Sequence, residues 1–166
     1  MQTIGEWYRD NVLHRDDLIE VEMPYSPGGE PHIVPELFCW RLYHGKKYIE
    51  CSTEMRARYL KAFMDARVNR IRMPQDEEYL KKVVPQLEEV IADTVDWLTF
   101  RTDGILNISR REKLLDLVWY KMMREGWEAE EQLFPYMANE SDGDEEEINE
   151  EENEKEVEED QIDKKS

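Results

Sequence analysis

Only two cysteines, Cys39 and Cys51, occur in the 166 residues. That is too few for a disulfide framework and suits a reducing compartment. No apolar run approaches the roughly 20 residues needed to span a bilayer, so no membrane association is expected. The opening MQTIGEWYRDNVLHRDD lacks the basic and apolar regions of a secretory signal. A cytoplasmic protein is expected. His14, His32 and His44 share no metal-ligand spacing with each other or with the cysteines. The phosphate loop G-x4-G-K-[ST], the dinucleotide fingerprint G-x-G-x-x-G and the nucleophile elbow G-x-S-x-G are missing too. No catalytic residue, metal ligand or cofactor is therefore assigned, and a non-enzymatic role is the leading expectation.

Positive charge is also scarce: 22 lysines and arginines stand against 40 acids, a net of −18. Most of the excess lies at the end. From Glu140 onward there are fifteen acids and three lysines, a net of −12, with Ile148, Val157 and Ile162 as the larger aliphatics. Such a segment cannot bury enough apolar surface to fold, so residues 139–166 read as a disordered acidic tail. Residues 1–138 are one domain's worth of chain. All five tryptophans and all seven prolines lie in them.

Within that body, Thr3 and Glu6 have capping-box spacing, followed by Ile4, Trp7, Tyr8 and Val12 at helical intervals, so residues 3–13 read as an amphipathic helix. Leu18 to Met23 alternates as a strand, and YSPGGEP over 25–31 is turn punctuation. Residues 36–51 read as a hairpin turning at His44-Gly45, with Phe38, Trp40, Leu42, Ile49 and Cys51 on the core face and Cys39 on the other. Ser52 is placed to cap a helix containing Met55, Tyr59, Leu60, Phe63 and Met64, and Val68 to Met73 follows as a strand.

After Pro74 the period changes. Leu80, Val84, Leu87, Ile91, Val95 and Leu98 form one helical stripe, interrupted by Pro85, which predicts a kink or a break. Residues 101–107 read as a loop. Ser109 and Glu112 repeat the capping-box spacing ahead of Leu114, Leu115, Val118, Met122 and Met123. Gly126 reads as that helix's end, with a further short helix before Pro135. The fold class expected is α+β: a small antiparallel sheet with packed helices over 1–74 and a helical part over 75–138.

The bases that are present cluster. Residues 41–72 hold nine, Arg41, Lys46, Lys47, Arg56, Arg58, Lys61, Arg67, Arg70 and Arg72, and only three acids. Three readings follow. These bases could pair with the protein's own acids, as exposed ions commonly do. They could dock an acidic protein surface, with charge steering the encounter. Or, with Tyr43 and Tyr48 interleaved, they could hold a nucleic-acid backbone while rings stack on bases, with the acidic tail as a competitor. Trp127, placed just beyond Gly126, is a candidate interface anchor. The other tryptophans, Trp7, Trp40, Trp97 and Trp119, fall in apolar stripes and are assigned to the core.

One short motif points elsewhere. Arg9 and His14 in R-D-N-V-L-H resemble the R-x4-H motif of HEPN ribonucleases. The resemblance implies a histidine general acid/base and an arginine that stabilises phosphate charge. On a regular helix the two lie about 140° apart, so a bend or a dimer would be needed to bring them together. The expectation is a non-enzymatic accessory or adaptor protein binding another protein. A nucleic-acid-binding accessory is the first alternative, and a HEPN-like ribonuclease is the second.

Overall fold

The computed structural model describes residues 1–133. The tail assigned to 139–166 lies outside the described residues. The chain divides into two units, Met1–Ala129 and Glu130–Ser166. The first holds the fold described here. Of the second, only the last residues of a helix that ends at Leu133 are described.

The class is α+β, with four helices and two small antiparallel sheets. Helix α1 (Ile4–Asn11) starts at the capping box, where Thr3 and Glu6 each satisfy the other's backbone N–H. Its buried face carries Ile4, Trp7 and Tyr8. Strand β1 (Leu18–Glu22) pairs with the distant β5 (Arg70–Pro74), Val21 opposite Ile71. Both of those side chains are buried.

The second sheet is a meander of β2 (Pro31–Pro35), β3 (Trp40–His44) and β4 (Lys47–Cys51). Strand β2 departs from the sequence expectation, because Pro31 and Pro35 bracket only three other residues. Proline cannot donate to a ladder, which confines it to an edge, and β2 is an edge strand. The β3–β4 turn is Gly45-Lys46 rather than His44-Gly45, with Gly45 at φ 62°. Trp40 therefore faces Cys51 and Leu42 faces Ile49. The one-residue move of the turn shifts pairing by two, which keeps the side chains of the two paired strands on their expected faces. Leu42 and Cys51 are buried as expected. Phe38 is not: it sits in the β2–β3 loop and is 91% exposed.

Helix α2 (Glu54–Asp65) is capped by Thr53 rather than Ser52; Thr53 Oγ1 accepts from the Arg56 N–H at 3.3 Å and donates to Glu77 at 2.8 Å. Its far end closes with a Schellman motif: Val68 N–H donates to Phe63 carbonyl and Arg67 N–H to Met64 carbonyl. Helix α3 (Glu77–Thr102) is capped by Asp76 and runs continuously through Pro85. Pro85 lies on the exposed face, so the carbonyl one turn back that loses its donor looks to water. The expected stripe is buried except for Val95.

Helix α4 (Ile108–Leu133) opens with Asn107 accepting from the Arg110 N–H, so Asn107 rather than Ser109 does the capping. It does not stop at Gly126. A Cβ there would lie 3.0 Å from Tyr8 Cδ1 and 3.2 Å from Gly5 carbonyl oxygen. A Cβ on Gly5 would land on the Met122 carbonyl oxygen. The two glycines let α1 and α4 cross backbone to backbone, which outweighs the poor helix propensity of Gly126. One core joins α1, both sheets, α2, α3 and the middle of α4, where Trp119 and Met123 are buried.

Candidate functional site

Helix α4, from Glu112 to Trp127, faces the α2–β5 turn, the β1–β2 loop and the end of β3 across a cleft of about 890 Å³. The geometry is set by three local devices. The Schellman turn forces Arg67 to φ 58°, a left-handed conformation that side chains other than glycine seldom adopt. Its guanidinium is then held by Asp116 on α4 at 2.6 Å. Tyr25 ties the β1–β2 loop to the same turn by donating to the Val68 carbonyl at 2.7 Å. Burial pushes the Tyr25 phenol above its ordinary range, with Arg67 pulling the other way. On the far wall, His44 Nδ1 accepts from the Ser26 N–H at 2.9 Å, which leaves Nε2 to carry the proton. The rings of Tyr25 and His44 meet edge to face, 5.1 Å apart.

The lining is aromatic and acidic. Tyr25, Trp119, Tyr120 and Trp127 contribute rings, and Glu30, Asp65, Glu112 and Asp116 contribute carboxylates against Arg67 and Arg70. Tyr120 and Trp127 are 5.2 Å apart with planes inclined at 54°. Burial raises the Asp65 carboxyl above its ordinary value, opposed by Lys61, whose ammonium lies 3.1 Å away. Trp127 is thus half-buried in the cleft wall, on a continuing helix, rather than free beyond a helix end.

The nine bases of 41–72 do not gather around one centre. Arg67 and Arg70 line the large cleft. Arg58 and Lys61 line a smaller groove of about 350 Å³ against α3, where Arg58 pairs with Glu88 and Lys61 with Asp65. Arg56 donates to Gln75 carbonyl at the start of α3. Arg41 lies on the β3–β4 hairpin, paired with Glu50 and stacked over Tyr48, with Tyr43 stacked on His32. Lys46 and Lys47 are exposed at that hairpin's turn. Arg70 faces Glu20 at 3.6 Å, and the Arg72 N–H on β5 donates to the Tyr8 hydroxyl. Arg9 pairs with Asp10 and Glu125, while His14 lies exposed beyond α1. Neither lines the two cavities.

A second surface was only partly anticipated. Trp97, expected in the core, is exposed on α3 with Arg101 over its ring. Phe100 (81% exposed), Leu106 (94%) and Ile108 (74%) follow through the α3–α4 connection, then Leu114 and Leu117 on α4. Helical geometry puts Leu114 and Leu117 roughly 140° around α4 from the cleft-lining face. Phe38, with its neighbour Leu37, adds a separate exposed apolar loop tip.

Among the described residues, no three histidine, cysteine, aspartate or glutamate side chains come together as a metal site, and no helix is long and apolar enough to cross a membrane. Set against protein-family models, curated proteins and solved structures, the chain matches none. Any functional reading rests on its own geometry.

Proposed function

We propose that the protein is a non-enzymatic accessory or adaptor protein that binds another protein, using the apolar end where α3 passes into α4. The observation that carries this reading is the run of exposed large side chains from Trp97 to Leu117. Continuity of the chain keeps them at one end of the helical half. Scattered apolar residues are ordinary on a surface, but a concentrated group marks an interaction site. Three of the cleft's polar groups are tied into structural contacts, Asp116 to Arg67, Asp65 to Lys61 and Tyr25 to Val68, which favours binding over chemistry there.

The nucleic-acid alternative has less behind it. Arg41, Arg58, Lys61, Arg67 and Arg70 each have a carboxylate within 4 Å, and Tyr43 and Tyr48 are already stacked. The ribonuclease alternative has less still, given the ion pairs on Arg9. Site-specific photocrosslinking in the native cell tests the proposal. A photoreactive side chain at Leu106 is expected to trap one or a few proteins, whereas the same group at the exposed Lys82 traps none of them. Identical products from both positions would sink the assignment of the interface.

A further inference from the structure

The large cleft offers a contact of different chemistry from the apolar end. Both of its arginines already face carboxylates: Arg67 is held by Asp116, and Arg70 reaches towards Glu20, which is not part of the lining. Asp65 is matched by Lys61. The carboxylates of Glu30 and Glu112, both exposed in the lining, have no cationic partner among the described residues. Two helical turns beyond Glu112 on the same helix, roughly 12 Å along its axis, Tyr120 meets Trp127 as an inclined pair of rings, 5.2 Å between centroids. A ring face attracts a cation through its quadrupole, and a nearby unpaired carboxylate adds charge.

We propose that the cleft seats a basic segment of a partner polypeptide, one lysine or arginine cation against Tyr120 and Trp127 and further cations of the same segment towards the separate carboxylates of Glu112 and Glu30. The volume, about 890 Å³, exceeds one side chain and suits a few residues of extended peptide. Sequence beyond α4 favours the same sign of partner: the net −12 from Glu140 onward draws cationic chains and repels anionic ones at long range. The inference takes from the protein-binding reading only the idea that the ligand is a polypeptide. It is independent of whether the α3–α4 end is an interface.

A titration of the full-length, 15N-labelled chain with tetralysine amide, followed at the tryptophan indole N–H signals, separates these possibilities. The Trp127 signal is expected to move saturably. Tyr120→Ala and Glu112→Gln, both at exposed positions, are each expected to weaken that response about two- to fivefold. Leu117→Glu is expected to leave it unchanged. A still Trp127 signal, while backbone signals of the acidic run alone respond, would overturn the proposal, since the peptide would then bind only that run. Movement with tetraglutamate instead of tetralysine would also overturn it, and would assign the cleft to an anionic ligand at Arg67 and Arg70.

Discussion

Replacing Gly5 by alanine tests the docking of α4, on which the cleft depends. On helix propensity alone the change is favourable, because alanine exceeds glycine by about 1 kcal/mol in a helix interior and by less near an end. The structure predicts the opposite sign. The new methyl would collide with the Met122 carbonyl oxygen and lie 3.1 Å from the Gly126 nitrogen. Both are backbone atoms within α4, so no side chain can rotate away. Overpacking of this kind costs about 1–3 kcal/mol, which leaves a net loss of about 0.5–2.5 kcal/mol after a propensity gain of about 0.5 kcal/mol near the helix end. Urea unfolding followed by far-UV circular dichroism reads this directly, as a lower midpoint at unchanged slope. Gly126→Ala should lose less, because its closest neighbour is the ring edge of Tyr8 at 3.0 Å. A Gly5→Ala variant as stable as the wild type would refute the close α1–α4 crossing, and with it the placement of Asp116, Tyr120 and Trp127 opposite Arg67.

Asp17 accepts from the Gln75 and Asp76 N–H groups and pairs with Arg15, which holds its carboxyl down at about 2. A depressed carboxylate stabilises above its unfolded value, near 3.9, and loses that contribution as pH falls towards 2. Asp17→Asn should therefore cost about 1–2 kcal/mol at pH 6, allowing for solvent screening, and the difference should vanish between pH 4 and 2 in acid-unfolding curves. Cys51 is buried, with its thiol pushed up to about 11 by that burial, whereas Cys39 is half-exposed. A disulfide reagent at pH 8 should titrate one thiol quickly in the native protein and two in denaturant; two fast thiols would contradict the β4 register. Arg67→Gly should stabilise by up to about 1 kcal/mol, because glycine relieves the left-handed strain while a half-exposed ion pair with Asp116 contributes little. A loss above that size in thermal melting would show that the ion pair anchors α4.

Local structure was legible wherever local physics decides it. The Thr3–Glu6 capping box, the β1, β3, β4 and β5 runs and the α3 stripe all follow from spacing within a few residues. The failures share one cause, which is contact between distant segments. Gly126 reads as a helix end until Gly5 arrives against it. Residues 32–35, between the 25–31 turn and the hairpin, carry no strand signal of their own until β3 supplies a partner for an edge strand. Charge misleads in the same way: nine bases close in sequence are spread over a cleft, a groove, a hairpin, β5 and the approach to α3, and Arg41, Arg58, Lys61, Arg67 and Arg70 each meet an acid. The cleft draws its lining from segments between Tyr25 and Trp127, so only the topology assembles it. Trp127 could be singled out as a tryptophan beyond a glycine, but not as one wall of a cavity.

The central claim, that the α3–α4 end binds a protein, is tested most directly by the affinity of the partner trapped at Leu106 for wild type and for Leu117→Glu. Leu117 is exposed, so the substitution leaves the fold intact by circular dichroism. Calorimetry at several temperatures should give a negative heat-capacity change for wild type and an affinity at least about tenfold weaker for the variant, the cost of a charge placed in an apolar contact. Equal affinities for the two proteins would contradict the account.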